Sequence, residues 1–147
     1  WKKPFLSETL GVSAEQIRPN GMILCYPVIT SGEYAHRGSF EALLGEDAYD
    51  PEKRKEQSLE LQVTKDTPPT FLWHTAEDAD VSVMNSLLYA QALAEKGVPF
   101  EYHVFPKGEH GSSTSDEQSI SCVKEHHQYN HVWLDNAKKW LHSLFAI

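Results

Sequence analysis

The chain has 147 residues, with 13 basic and 21 acidic side chains and a net charge of −8. This length is enough for one domain with a core but short for two. The chain has no basic stripe or arginine-rich run, so neither nucleic acid nor an anionic membrane is an expected partner. Its longest apolar run, Met22 to Ile29, is far shorter than the roughly 20 residues of a membrane-spanning helix.

The two cysteines are Cys25, in the apolar run, and Cys122, in a polar segment. Their number and spacing match neither a disulfide framework nor a zinc site. We therefore predict two free thiols and, with them, a cytoplasmic location.

The first residue is Trp1 and not Met, and no strand pattern precedes the turn-rich opening, so we expect this chain to be a piece of a longer protein.

Three segments have strand patterns. Met22 to Val28 is an unbroken apolar run, typical of a sheet covered on both faces, and Thr70 to Thr75 and Phe100 to Phe105 are the other two. A helix is predicted over Val83 to Lys96, ended by Gly97. This order of strand, helix and strand, with short connections, predicts parallel strands joined by a right-handed crossover.

The apolar positions of two predicted helices repeat at helical spacing. In Val83 to Lys96 they indicate a buried face made of Leu87, Ala90, Leu93 and Ala94. In the last helix, His131 to Phe145, the face that should pack on the sheet consists of Trp133, Ala137, Trp140, Leu141 and Leu144. Two short helices, Gly38 to Gly45 and Pro51 to Leu61, are predicted in the long connection between the first two strands, where an α/β enzyme would keep a substrate-binding insertion.

Charged side chains follow the second and third strands at their carboxyl ends, where doubly wound sheets hold their catalytic groups. Asp78 follows Thr70 to Thr75, and His110 follows Phe100 to Phe105. Taken alone, an Asp in such a place is typically a turn former or helix cap, and a His between glycines is typically a loop residue. Together, on neighbouring strands, they favour an acid that orients a histidine acting as general base.

Two stretches resemble a known family. They are RPNGMILCYPVIT and, over residues 68 to 111, PPTFLWHTAEDADVSVMNSLLYAQALAEKGVPFEYHVFPKGEHG. Both are similar to bacterial esterases of the α/β-hydrolase fold, in the acetyl-esterase and xylan-esterase-like branch that is related to dienelactone hydrolases and prolyl oligopeptidases. The resemblance implies Asp78 as the acid and His110 as the base, in the family's chain order of serine, acid and histidine. Asp80 is the alternative acid, and Ser82 stands where the family usually has proline.

The nucleophile of such an enzyme is missing from this sequence, because no Gly-x-Ser-x-Gly pentapeptide occurs in it. The nearest match begins at Gly11, and there Ser13 to Gln16 fits a helix capping box better. The resemblance implies that the serine and the oxyanion-hole loop precede this chain. The expected fold is therefore the C-terminal part of an α/β hydrolase, with residues 1–147 as a portion of a single domain that is inactive alone. We expect Ser112, Ser113 and Ser115, in the Ser-rich loop Ser112 to Ser121, to be solvated.

Other histidines and one tyrosine are weaker candidates. His126, His127 and His131 include one pair at i, i+4 spacing, but no carboxylate or thiolate completes a metal site, so we predict no metal and no cofactor. His74 should be a structural hydrogen-bonding residue within its strand. Tyr26, at the end of the first strand, would border an acyl pocket or pack in the core.

We expect the complete protein to be a serine carboxylic-ester hydrolase acting on small acyl esters, such as acetylated sugars. A peptidase of the prolyl-oligopeptidase kind and a noncatalytic α/β interaction module are the alternatives. Three strands cut from a wider sheet leave an exposed edge, and exposed edges pair with other chains. The expected partners are therefore a small-molecule ester and either the missing N-terminal half or a second copy of the chain.

Overall fold

The computed structural model describes residues 4–115 and 129–145. The predicted features at Cys122, His126 and His127 lie outside these residues. Within them, Cys25 is a free cysteine, as predicted, and burial raises the pKa of its thiol. No helix in the described part of the chain is long and apolar enough to cross a membrane.

The sheet has three parallel strands in the order β1 (Met22–Cys25), β2 (Thr70–Thr75) and β3 (Phe100–Phe105). The register pairs Met22 with Thr70 and Thr70 with Phe100, so the carboxyl ends of all three strands lie at the same edge of the sheet. The bounds of β2 and β3 are the predicted ones. The prediction of about three parallel strands with flanking helices is confirmed.

Strand β1 is shorter than the predicted Met22 to Val28. It ends at Cys25 because Tyr26 has a positive φ of 37°, outside the extended region, and Pro27 has no N–H for a ladder bond. The expected cover on both faces is also incomplete among the described residues, where the Ile23 side chain is 39% exposed. By contrast, all six residues of the central strand β2 are buried.

The helices are α1 (Pro4–Leu10), α2 (Arg37–Leu44), α3 (Pro51–Glu56), α4 (Met84–Glu95) and α5 (Val132–Phe145), with 3₁₀ turns at Ala14–Ile17, Gly45–Tyr49 and Leu59–Gln62. Helix α1 was not predicted. Helix α3 begins at Pro51 because the Asp50 side chain caps it, accepting the backbone N–H groups of Glu52 and Lys53. It ends at Glu56, so the prediction of one helix to Leu61 was wrong. The capping box over Ser13 and Gln16 is present, as predicted.

Each face of the sheet has a core. On one face α4 packs over a cluster of Ile29, Val63, Leu72, Tyr89, Leu93 and Val98. On the other face α5 contributes Trp133, Ala137 and Trp140 to a cluster with Phe71, Trp73 and Phe105. The predicted packing of the last helix on the sheet, with both tryptophans in the core, is therefore confirmed.

The buried face of α4 differs from the predicted one. Ala90 and Leu93 are buried, but Leu87 is 42% exposed and Ala94 is also exposed. Asn85 and Ser86 are fully buried in their place, since both make hydrogen bonds to other parts of the chain. Satisfied polar groups can be buried at little cost, so the buried side of α4 includes Asn85 and Ser86, whereas Leu87 and Ala94 are exposed.

Candidate active site

The loops after β2 and β3 bring the two predicted site residues together. Asp78 follows a tight turn at the end of β2, where its backbone N–H donates to the Thr75 carbonyl at 3.4 Å. Its carboxylate lies 2.8 Å from Nδ1 of His110, which comes from the loop after β3. The Asp78 side chain is fully buried, whereas the His110 side chain is 29% exposed. The pair thus joins an inaccessible carboxylate to an imidazole that solvent or a ligand can reach.

The Asp78 carboxylate accepts three hydrogen bonds and lies close to a fourth nitrogen. Oδ1 accepts the backbone N–H groups of Asp80 at 3.0 Å and Val81 at 2.8 Å. Oδ2 accepts from His110 Nδ1 at 2.8 Å and lies 3.2 Å from His74 Nε2. Since a carboxylate only accepts, the His110 proton shared with it must reside on Nδ1. Nε2 of His110 is then the ring nitrogen that can take up a proton.

The loop that carries His110 is fixed at Gly108. Its carbonyl accepts a 2.6 Å hydrogen bond from Thr75 Oγ1, and the neighbouring Lys107 carbonyl accepts one of 2.8 Å from Asn130 Nδ2. Gly108 has φ 141°, and a Cβ there would lie 2.6 Å from Asn130 Nδ2 and 2.8 Å from Thr75 Cγ2. Only glycine fits this position, which sets the approach of His110 to Asp78.

Tyr26 lies against the other side of His110. The two ring centroids are 4.9 Å apart at an interplanar angle of 69°, and Tyr26 makes a similar edge contact with Trp73. The Tyr26 hydroxyl accepts the backbone N–H of Ser113 at 3.2 Å. The sequence is compatible with two roles for Tyr26, the wall of an acyl pocket or a core residue. The structure places its ring in contact with the His110 imidazole.

The neighbouring carboxylates and serines have other surroundings. Asp80, the alternative acid, is exposed, as is Glu77. The expectation that the nearby serines are solvated was wrong for Ser112 and Ser115, which are 6% and 1% exposed. Their hydroxyls donate to the carbonyls of Glu109 and Ser112 and so close the turns after His110.

A buried amide connects the site to the long segment after β1. The Asn85 side chain accepts the backbone N–H groups of Ile29 and Thr30, each at 2.9 Å, and donates to the carbonyls of Tyr34 and Ser82. These hydrogen bonds hold the start of that segment against the first turn of α4. The start of the segment lies at the carboxyl end of the sheet. Sequence reasoning missed Asn85, because this residue lies on the side of the helix that the apolar pattern predicts to face away from the sheet.

The described ranges, 4–115 and 129–145, contain no group of three or more histidine, cysteine or acidic side chains arranged to hold a metal ion. Of the histidines considered for a metal, only His131 lies within them.

A known protein family and two known proteins share sequence with most of this chain. Residues 29–137 match the model of the prolyl oligopeptidase family. The chain belongs to the prolyl oligopeptidase family. It is also 49% identical over 104 residues to endo-1,4-beta-xylanase B of Butyrivibrio fibrisolvens, covering 71% of this chain and 16% of that protein. With an acetylxylan esterase of Xylanibacter ruminicola it shares 33% identity over 104 residues, covering 68% of this chain and 22% of the esterase.

Solved structures are also similar to this family member. An acetyl ester-xyloside bifunctional hydrolase from Caldicellulosiruptor lactoaceticus superimposes with a TM-score of 0.65 at 46% identity, over 82% of this chain and 43% of that one. An α/β hydrolase from a Medee basin deep-sea metagenome gives a TM-score of 0.68 at 24% identity, over 97% and 50% of the two chains. The chain thus has the α/β-hydrolase fold and spans about half the length of these structures.

Proposed function

We propose that this chain supplies the acid and the base of a serine carboxylic-ester hydrolase. The observation that carries the proposal is the 2.8 Å hydrogen bond from His110 Nδ1 to the buried carboxylate of Asp78, at the carboxyl ends of adjacent parallel strands. A carboxylate in that position holds the imidazole in one tautomer and stabilises its charged form. This leaves Nε2 as the atom that accepts a proton from a nucleophile.

In the proposed reaction, a serine outside these 147 residues attacks the ester carbonyl while its proton passes to His110 Nε2. The tetrahedral intermediate collapses, and His110 returns the proton to the departing alcohol. Water then attacks the acyl-enzyme, giving up a proton to His110, and the carboxylic acid is released as the serine recovers its proton. Asp78 stays ionised throughout and orients the ring.

The proposed substrates are small acyl esters, in particular acetylated sugars. An acetylxylan esterase and an acetyl ester-xyloside hydrolase among the relatives support this class.

A substrate panel tests the proposal. The protein expressed from the full reading frame that encodes this chain should hydrolyse acetyl esters of a chromogenic alcohol and of xylose, with turnover abolished by His110→Ala. Turnover of peptide amides without ester hydrolysis would contradict it. That outcome would favour the second candidate, a peptidase, which the match of residues 29–137 to the prolyl oligopeptidase family keeps open.

We further propose that residues 1–147 are the C-terminal portion of a single hydrolase domain whose other half pairs with β1. The partly exposed strand β1, with Ile23 39% exposed, supports this. Alone, the 147-residue chain should then dimerise or aggregate through that edge. A sharp monomeric boundary in sedimentation velocity, with cooperative melting, would contradict it.

A cytoplasmic location is proposed on the cysteine evidence. Cys25 is a free thiol whose pKa is raised by burial, and free thiols are usual in reducing compartments. Fractionation of cells that express the full reading frame would test the location, with recovery outside the cytoplasm as the contrary result.

A further inference from the structure

A second histidine lies behind the Asp78–His110 pair. His74 is the fifth residue of β2, and its side chain is fully buried on the α4 side of the sheet. Its Nδ1 lies 2.8 Å from Ser86 Oγ on α4, and its Nε2 lies 2.9 Å from the Val81 carbonyl and 3.2 Å from Asp78 Oδ2. His110 and His74 therefore approach the same carboxylate oxygen from different sides.

These contacts define the tautomer of His74. The Val81 carbonyl can only accept, so His74 must carry a proton on Nε2. Burial lowers the pKa of His74, and this effect outweighs the opposing ones of the Val81 carbonyl and the Asp78 carboxylate. The ring is then neutral, and Nδ1 accepts the Ser86 hydroxyl proton. The other ionisable groups near it are His110 and, on the neighbouring strand β3, Tyr102, whose pKa the Ser86 hydroxyl lowers against the larger effect of burial.

We propose that His74 is a positioning residue for the acid: its Nε2–H, shared between the Val81 carbonyl and Asp78 Oδ2, fixes the carboxylate plane that orients His110. This inference deepens the proposed function and rests on it. A neutral donor suits this task, because it restrains the carboxylate without supplying a positive charge that would compete with the His110 imidazolium. The Ser86 bond to Nδ1 keeps the ring from rotating, and α4 thus takes part in the alignment of the pair.

Two variants of His74 distinguish a role in positioning the Asp78 carboxylate from a role in packing alone. In His74→Gln the amide nitrogen reaches the former Nε2 position and keeps the donor to Asp78. In His74→Asn a polar atom remains near Ser86, but that donor is lost. With the full-reading-frame protein and an acetyl ester, His74→Asn should lower kcat between about 10- and 100-fold with KM unchanged, as expected when a reacting group is misaligned. His74→Gln should stay within about threefold of the original, although both variants should lose similar stability.

A double-mutant cycle provides the decisive control. If His74 acts through Asp78, His74→Asn should have little further effect on kcat once Asp78→Asn is present. Equal losses in the Gln and Asn variants, or additive losses in the cycle, would overturn the proposal and leave His74 a packing residue.

A measurement without turnover keeps this inference separate from the proposed function. In protein with ¹⁵N-labelled histidine, NMR should find His74 as the neutral Nε2–H tautomer between about pH 6 and 8, with a proton shift that moves on Asp78→Asn but not on Asp80→Asn. A His74 that titrates in this range, or that is indifferent to Asp78→Asn, would overturn the inference. Absence of ester turnover would count only against the proposed function.

Discussion

Thr75 Oγ1 donates a 2.6 Å hydrogen bond to the Gly108 carbonyl and so joins the last residue of β2 to the loop that leads to His110. This hydrogen bond connects the start of the loop that carries the acid to the loop that carries the base. Asn130 holds the same loop from the other side through the Lys107 carbonyl. The geometry of the Asp78–His110 pair therefore depends on residues that take no part in the chemistry.

Gly108→Ala should disrupt this connection between the two loops. The new Cβ would lie 2.6 Å from Asn130 and 2.8 Å from Thr75, so the free energy of unfolding should fall by about 3 kcal/mol from clash and backbone strain. Gly111→Ala is the matched control, because Gly111 also has a positive φ but has nothing within 4 Å of the added Cβ. It should cost about 1 kcal/mol. Denaturant unfolding measures both, and equal losses would show that crowding at Gly108 is unimportant.

The choice between the two acids is tested by amide substitution. Asp78→Asn should lower kcat for an ester by about 10⁴-fold, because the amide cannot hold His110 in the required tautomer. Asp80→Asn should change it less than about threefold, since Asp80 is exposed and contributes only its backbone N–H to the Asp78 carboxylate. A larger loss at Asp80 would reverse the assignment.

The buried amide of Asn85 should matter for stability. Three of its four hydrogen bonds hold the segment from Ile29 to Tyr34 against α4, and the fourth goes to the Ser82 carbonyl. Asn85→Ala leaves buried backbone groups unpaired and should cost about 2 to 5 kcal/mol of unfolding free energy. The comparison variant Gln91→Ala removes only an exposed bond to Glu95 on the same helix and should cost less than about 0.5 kcal/mol. Similar values in thermal or urea unfolding would argue against an anchoring role.

We predict that the buried Tyr102 hydroxyl lowers the free energy of unfolding at high pH. Burial raises its pKa from 10 to about 12, and the Ser86 hydroxyl offsets this only in part. Because the folded-state pKa lies above the unfolded value, the neutral side chain stabilises the fold fully below pH 10, and this contribution is lost as the pH rises through about 12. Tyr102→Phe should flatten the fall in unfolding free energy over that range, whereas Tyr49→Phe, at an 80% exposed tyrosine, should leave it unchanged. An equally steep fall in Tyr102→Phe would assign the effect to other groups.

Much of the fold could be predicted because it depends on local patterns. β2 and β3 are short strand-like runs with turn residues at their ends, and α5 has a regular apolar face that the sequence displays directly. The proximity of Asp78 and His110 followed from a topological rule, since the carboxyl ends of adjacent parallel strands share one edge.

The features that escaped prediction depend on contacts between distant parts of the chain. Asn85 bonds to a backbone N–H 56 residues away, and Tyr26 accepts from one 87 residues away. The early end of β1 arises from Pro27, which the sequence displays, and from the positive φ of Tyr26, which it does not. His74 was predicted to be a structural hydrogen-bonding residue, but its approach to Asp78 depends on how the loop after β2 folds back.

The central claim is that His110 activates a serine that lies outside this chain. The most direct test treats the protein made from the full reading frame with a fluorophosphonate, followed by intact mass and peptide mapping. The account predicts one adduct, on a serine outside residues 1–147, and its loss in His110→Ala. No adduct, or one on a serine within this chain that persists in His110→Ala, would contradict the claim.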